Sequence, residues 1–179
     1  AAQNTSDKYI PIFDIAGYDS ETRKHPKQNF VMMDCFSDET PINDFTHLDA
    51  VANDPTVILC LSSKHKNAMP AMRRMFMALQ EKQIKNPVVI TIDSDWTTTD
   101  EHLIHFATEA GALLLDGFGD GLCFGLTSKS YAAQTANASK DTSGRNYNSN
   151  ASVEAFINAT AFTILQATRT RISQPEYIS

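Results

Sequence analysis

Hydrophobic positions along the chain follow two periods, one typical of buried strands and the other of amphipathic helices. Short, mostly apolar runs at 29–35, 56–62 and 86–94 predict buried strands. A segment with apolar residues every three or four positions, which is the helical period, follows each run. This alternation predicts an α/β fold with a parallel sheet and right-handed crossovers.

The clearest predicted helix lies between the second and third strands, in the segment NAMPAMRRMFMALQEKQ. Its apolar side chains stand at i, i+3, i+4 and i+7, and we expect them to fill the core. They are Met72, Met75, Phe76 and Leu79. A weaker helical pattern covers PINDFTHLDAVAND, and a last helix is predicted in VEAFINATAFTILQATR. A further helix is predicted to begin after Thr98. Thr98 and Glu101 have the S/T-x-x-E spacing of a capping box.

The stretch EAGALLLDGFGDGLCFGL, residues 109–126, has three glycines within five positions and therefore resembles either a phosphate cradle or a tight joint. A nucleotide-binding cradle needs a strand, then glycines, then a helix N-terminus. Here the helical period continues to Asp116, so Gly117 falls where a left-handed residue ends a helix. We predict a joint leading into a fourth strand at 120–126, with a short strand at 112–115 as the competing interpretation. The joint residues are Asp116, Gly117, Gly119, Asp120 and Gly121.

Four βα units from residue 29 onward predict a partial TIM-barrel-like domain, about half of a (β/α)₈ barrel. A small doubly wound sheet is the alternative. Residues 1–28 are expected to be irregular, with a candidate peripheral strand at 10–15. Within the domain at 29–179 we expect a long mobile loop at 127–152, because that segment is rich in Ser, Thr, Asn and Ala and poor in large apolar residues.

The amino-acid composition and net charge argue against some classes of function. The 179 residues carry 15 Lys and Arg against 21 Asp and Glu, and a formal net charge of −6 argues against a general nucleic-acid-binding protein. No apolar run approaches the roughly 18 residues of a membrane span. Cys35, Cys60 and Cys123 lie in apolar runs without metal-site spacing, which predicts buried, reduced thiols in a cytoplasmic protein. Residues 1–9 lack the features of a signal peptide, and we expect a piece of a longer protein.

Polar residues after the predicted strands are the candidates for chemistry, since an α/β protein holds its active site at the carboxyl ends of its strands. Two short clusters form an alternative phosphate or metal site, although an Asx-type turn and a solvated loop are the competing interpretations. The residues are Lys64, His65, Lys66, Asp93 and Asp95. His102 and His105 stand three apart on a predicted helix, and we expect a surface pair. No catalytic, cofactor-binding or metal-binding role is predicted for the segment beyond these.

Two stretches, GALLLDGFGDGLCFGLT and FTILQATRTRISQPEYIS, resemble the 4-hydroxy-3-methylbut-2-enyl diphosphate synthases, iron–sulfur enzymes of the non-mevalonate isoprenoid pathway. In that family a DG-[aliphatic]-GD turn precedes the last barrel strand, and Phe118 departs from the aliphatic preference. Residues 176–179 match the start of the E-[YF]-[VI]-S-C-P-x-C sequence that opens the iron–sulfur domain. The segment PAMRRMFMALQEKQIKNPVVI resembles the domain inserted in plant-type three-domain members. The likeness covers about 43–126 and 156–179.

The resemblance implies a parent oxidoreductase that opens 2-C-methyl-D-erythritol 2,4-cyclodiphosphate to 4-hydroxy-3-methylbut-2-enyl diphosphate. It implies a [4Fe–4S] cluster whose ligands are expected after Ser179, and a ferredoxin- or flavodoxin-type electron donor. The segment itself is then expected to be a cofactor-free, non-catalytic spacer that orients the two other domains of the parent. Two alternatives stay open: an independent phosphate-binding α/β enzyme, and a partner-binding module whose unpaired strand edges favour self-association.

Overall fold

The structure of the chain, a computed structural model, describes residues 9–18, 23–35, 48–52, 54–65, 67–136 and 152–172. In these ranges five β-strands form one parallel sheet in the order β1-β2-β3-β4-β5, with helices between successive strands. The predicted α/β fold is confirmed. The chain divides into two compact units, Ala1–Ile90 and Thr91–Ser179.

The strand order decides between the two predicted architectures. A doubly wound sheet reverses its strand order part-way and thereby places helices on both faces. Here the spatial order of the strands is their order in sequence. Because βαβ crossovers are right-handed in nearly all proteins, sequential order places the connecting helices on a single face of the sheet. The doubly wound alternative is therefore wrong for this chain.

The first unit contains three βα pairs and the beginning of a fourth strand. Its elements are β1 (Ile12–Asp14), α1 (Ile15–Tyr18), β2 (Asn29–Asp34), α2 (Leu48–Ala52), β3 (Val57–Ser62), α3 (Ala68–Glu81) and β4 (Val88–Ser94). β1 is one of the two edge strands, pairs in parallel with β2, and lies within the range 10–15 proposed for a peripheral strand. β2 pairs with β3 over six residues, from Asn29 opposite Val57 to Asp34 opposite Ser62.

Burial alternates along β2, and along β3 except at the buried Cys60, even though both sequences are almost continuously apolar. Val31, Leu59 and Leu61 are fully buried, whereas Phe30 and Ile58, one position away, are part-exposed. α3 buries all four of the side chains predicted to fill the core. The core of the first unit therefore lies on one face of the sheet.

Asp54 forms hydrogen bonds that link α1 to the residues before β3 and β4. Its carboxylate accepts hydrogen bonds from the Tyr18 hydroxyl at 2.8 Å and from the backbone N–H of Thr56 at 2.9 Å. Burial, helped by the hydrogen bond to Asp54, raises the pKa of Tyr18 to about 12. Asn86 adds a side-chain bond to the Asp54 carbonyl at 2.9 Å. These bonds hold the turn before β3 against α1 and the start of β4.

The second unit begins within β4. It continues with α4 (Thr99–Phe106), a π-helical turn (Ala107–Gly111), α5 (Ala112–Leu115), β5 (Gly121–Leu126), α6 (Ser128–Ala136) and α7 (Val153–Ile172). α7 buries Val153, Thr160, Ile164 and Thr168, which lie along one side of the helix. In the parts of the chain that the structure describes, no helix is both long enough and apolar enough to cross a bilayer.

The glycine stretch after α5 has the hydrogen bonds of a Schellman C-cap. The N–H of Phe118 donates to the carbonyl of Leu113 at 2.9 Å, and that of Gly117 to Leu114 at 3.1 Å. Gly117 and Gly119 adopt φ values of 83° and 88°, in the left-handed region. Because residues 112–115 are helical, the competing prediction of a short strand there is wrong. The order is helix, glycines, strand, so no helix N-terminus follows the glycines as a phosphate cradle requires.

The prediction of a mobile loop at 127–152 is wrong for the first part of that range, because α6 covers Ser128–Ala136. The Thr127 hydroxyl accepts the N–H of Ser130 at 3.4 Å, and Gln134 donates to the Thr99 hydroxyl at 2.6 Å. The composition predicted a loop because the segment has few large apolar side chains to bury. Hydrogen bonds near both ends of the helix stabilise it in their place. Residues 137–151 lie outside the described residues.

We predict that Gly117→Ala lowers the free energy of unfolding by about 1–2 kcal/mol, the typical cost of a left-handed conformation for a residue with a Cβ. A Cβ at Gly117 meets no atom within 4 Å, so backbone strain alone is tested. Gly17→Ala is the matched control, because a Cβ there is also unobstructed and the φ of Gly17 is not positive. Urea denaturation measures both variants, and equal effects would contradict the assignment.

Candidate functional site

The carboxyl end of β4 carries several polar side chains of the second unit, among them Asp93, Ser94 and Asp95. A capping box begins α4 directly after this strand: Thr98 accepts the N–H of Glu101 at 3.4 Å, and Glu101 accepts the N–H of Thr98 at 3.1 Å. This cap fixes the residue at which α4 begins. As a result, His102 and His105 in the first two turns reach back to the end of β4.

His102 forms a buried pair with Ser94. The Ser94 Oγ and His102 Nδ1 atoms are 2.7 Å apart, and both residues are 0% exposed. The His102 ring stacks on Phe106, which in turn stacks on Phe124 of β5 with ring centroids 4.2 Å apart. A nucleophilic serine needs a path to its substrate, and complete burial removes that path. The pair therefore anchors α4 to β4.

Burial lowers the pKa of the His102 imidazole below its ordinary value of 6.5. The carboxylates of Glu101 and Asp95 act in the opposite direction, while His105 adds to the lowering. The neutral ring is therefore the form that the folded chain favours. Nε2 of His102 is buried without a hydrogen-bond partner among the described residues, which adds to the cost of charging the ring.

The prediction that His102 and His105 form a surface pair is wrong for His102, because this residue is buried. His105 is part-exposed, and its Nε2 lies 3.3 Å from the backbone carbonyl of Asp93. In α4 the structure buries His102 and Phe106, whereas Leu103 is part-exposed. The Ser94–His102 pair was missed because neither residue carries a motif. A serine at the last position of a strand, with a histidine in the first full turn of the next capped helix, is the signal that identifies it.

Asp93 and Asp95 are both exposed at the end of β4. The Asp93 carboxylate lies directly over Gly125 of β5, where a Cβ would clash with it. Burial, with a contribution from Asp93, raises the pKa of the nearby Cys123 thiol. The prediction of buried thiols holds for Cys35 and Cys60 but is wrong for Cys123, because β5 is an edge strand and leaves this residue exposed.

The first unit holds the other half of the predicted alternative site. The Lys64 ammonium lies 3.8 Å from Asp34, and the Lys64 backbone N–H donates to the same carboxylate at 3.3 Å. The Lys64 side chain is 83% exposed, so this ion pair adds little stability. His65 and Arg74 border an open pocket of about 270 Å³ beside the start of α3, together with Asn67, Pro70 and Ala71. Lys66 lies outside the described residues.

The two clusters of the alternative phosphate or metal site belong to different units, Lys64 and His65 to the first and Asp93 and Asp95 to the second. Among the described residues, no three His, Cys, Asp or Glu side chains are grouped to hold a metal ion. The cysteines that the structure describes lie on three different elements or their ends: Cys35 follows β2, Cys60 is in β3 and Cys123 is in β5. This donor set does not fit an iron–sulfur cluster.

Comparison with known proteins identifies relatives of the chain by sequence. The chain is 35% identical over 135 residues to the 4-hydroxy-3-methylbut-2-en-1-yl diphosphate synthase (flavodoxin) of Parabacteroides distasonis. It is 30% identical over 125 residues to the enzyme of the same name from Bacteroides thetaiotaomicron. The chain is homologous to a segment of these synthases. It is also 30% identical over 110 residues to the chloroplastic 4-hydroxy-3-methylbut-2-en-1-yl diphosphate synthase (ferredoxin) of Arabidopsis thaliana.

The resemblance seen in the sequence motifs is therefore confirmed, and it concerns a small part of the synthases. The matches cover 74%, 70% and 61% of this chain but only 18%, 17% and 12% of the three relatives. No family model matches the chain. No solved structure matches it either.

We predict that the chain loses stability as the pH falls from about 7.5 to 5.5, and that His102 causes part of this loss. Because the pKa of His102 is lower in the folded chain than in the unfolded chain, the unfolded chain binds the proton more readily below pH 6.5. Stability is therefore complete above this pH and decreases below it. Urea denaturation across this range measures the effect.

His102→Gln should flatten the pH dependence of the free energy of unfolding, whatever its effect on stability at pH 7.5. His105→Gln is the control, because the His105 side chain is part-exposed and only three residues away. If the His102 variant kept the full pH dependence of the unsubstituted chain, the buried pair would not be its source.

Proposed function

We propose that this chain is the inserted middle domain of a 4-hydroxy-3-methylbut-2-enyl diphosphate synthase of the three-domain type. The parent protein would convert 2-C-methyl-D-erythritol 2,4-cyclodiphosphate reductively to the linear diphosphate. The observation that carries the proposal is the match to a short portion of both flavodoxin- and ferredoxin-named synthases over most of this chain.

The role proposed for the segment is that of a non-catalytic spacer between the two other domains of the parent. Its most enzyme-like feature, the Ser94–His102 pair, is inaccessible to a substrate. The exposed carboxylates Asp93 and Asp95 have no metal-binding group around them among the described residues. These side chains support a packing role for the carboxyl end of β4.

The [4Fe–4S] cluster of the parent would be held outside this segment, by ligands following Ser179. The cluster would supply electrons for opening the cyclic diphosphate, and a ferredoxin- or flavodoxin-type protein would reduce it. What this segment would contribute is α/β structure without a reactive group of its own, placed between the two other domains of the parent.

We predict that the full-length protein containing this segment shows the reductive activity and that substitutions at the exposed polar clusters leave it unchanged. In the full-length enzyme, Asp93→Asn and Lys64→Ala should each leave kcat and KM within about twofold, the range of an effect well below 1.4 kcal/mol. Conversion of the cyclic diphosphate with reduced flavodoxin as electron donor is the measurement.

A tenfold loss of kcat in either variant, with unchanged folding, would favour the alternative in which these residues bind a phosphorylated substrate. Gly117→Ala in the same full-length protein is the control for a purely structural effect, because Gly117 belongs to the joint after α5. Absence of activity in the unsubstituted full-length protein, despite a loaded cluster, would remove the assignment of the parent.

A further inference from the structure

The last helix of the second unit, α7, exposes a face that carries no charged residue. Over residues 155–168 the sequence is AFINATAFTILQAT, which contains no Asp, Glu, Lys, Arg or His. Exposed side chains recur in it every three or four positions, and we call the following six the outer face: Ala155, Asn158, Ala159, Phe162, Thr163 and Gln166. The nearest charged residues, Glu154 and Arg169, bound this stretch at its two ends.

The opposite side of α7 is already packed within its own unit. Val153 and Ile164 are buried there, and a Cβ at Gly111 would lie 3.9 Å from Cγ2 of Ile164. The hydroxyls of the buried Thr160 and Thr168 donate to carbonyls four residues earlier, at 2.9 and 3.0 Å. These contacts attach α7 to its unit without any contribution from the outer face.

The composition of the outer face is that of a contact surface. A helix with one packed side normally has charged side chains on its other side. In α3 of the first unit, the exposed Met77 is accompanied by the exposed Arg74 and Glu81. The outer face of α7 has no such residue and includes Phe162, which is 67% exposed. Charged residues are depleted at the cores of protein interfaces, whereas aromatic residues are enriched there.

An uncharged face argues against partners that are bound mainly through charge. Nucleic acids and anionic membrane surfaces are bound by Lys and Arg, and neither occurs between Glu154 and Arg169. Contacts between domains of one chain combine apolar groups with uncharged polar groups. Phe162 supplies the first kind, and Asn158 and Gln166 supply the second. The outer face therefore fits the surface of a neighbouring domain.

We propose that the outer face of α7 binds the domain that follows this segment in the parent protein. The existence of that domain rests on the proposed function, and the matched part is only 18% of the Parabacteroides distasonis synthase. α7 ends at Ile172, so residues 173–179 keep the polypeptide that follows within about 25 Å of the helix end. A domain beginning there can lie back along α7, because residues 155–168 extend over about 20 Å of helix.

Covalent attachment favours this occupant over a second copy of the chain. A short linker gives an attached domain an effective concentration in the millimolar range. A separate molecule at micromolar concentration would need a much higher affinity for the same face. The outer face is therefore covered in the parent and free in the 179-residue chain.

Photo-crosslinking in the full-length parent tests which polypeptide covers the face. With p-benzoyl-phenylalanine in place of Phe162, we expect a crosslink to a peptide that follows residue 179. The same analogue in place of Met77 is the matched control, because Met77 is also a large apolar residue, 56% exposed, on the outward side of a helix. Mixing isotopically labelled and unlabelled parent distinguishes crosslinks within one molecule from crosslinks between two.

Several crosslinking results would overturn the proposal. They are no crosslink from position 162, a crosslink to residues 1–179 or to a peptide that precedes them, and a crosslink between two molecules. An equal crosslink from position 77 to the same peptide would overturn it as well.

Thermal unfolding of a Phe162→Glu variant gives an independent readout. In the 179-residue chain the side chain is exposed, so the unfolding temperature should change by about 2 °C at most. In the parent the variant should lower the unfolding temperature of this domain by about 4 °C or more, because the contact loses an aromatic residue and gains a buried charge. Met77→Glu should have the same small effect in both proteins. Equal effects of Phe162→Glu in the two proteins would contradict the docking.

The synthase activity of the unsubstituted parent is measured separately. A parent without this activity that still crosslinks from position 162 to the following domain would refute the proposed function and leave the docking surface in place. An active parent without that crosslink would do the reverse.

Discussion

The architecture of this chain depends on the order of its strands. Because the spatial order of the sheet is the order in sequence, right-handed crossovers bring the helices to one face. On that face the strands bury Val31, Leu59 and Ile90 almost completely. The opposite face receives no helix from the same connections, and among the described residues Phe30, Met32 and Ile58 on it are part-exposed. Among the described residues, the unequal burial of the two faces is thus a consequence of topology and does not reflect a lack of hydrophobic residues.

At the carboxyl end of β4, where an α/β enzyme would hold its reactive groups, the polar side chains maintain packing. The capping box at Thr98 and Glu101 sets the start of α4, and this start carries His102 to Ser94. Aromatic stacking from Phe106 to Phe124 then ties the same helix to β5. In many α/β enzymes this end of a strand holds catalytic residues. Here its side chains join α4 to β4 and β5, which agrees with the proposed spacer role.

Local sequence signals were sufficient where the physical cause is itself local. The capping box depends on two residues three apart, and the α3 stripe depends on a period within one helix, so both were predicted from the sequence. The helix at Ser128–Ala136 was not, because its stabilising bonds include one from Gln134 to the distant Thr99. The same limit applies to Cys123: its apolar neighbours suggested burial, but its strand lies at the edge of the sheet.

The sequence by itself determined the alternation of strands and helices, the cap of α4 and the homology to the diphosphate synthases, because periodicity, capping pairs and motifs are written in neighbouring residues. The tertiary structure decided which face of each strand is covered, and that His102 lies inside the core while His105 lies near the surface. Those outcomes depend on the strand order and on the rotation of α4 against β4. Both are set by contacts between residues far apart in the chain, which no local pattern contains.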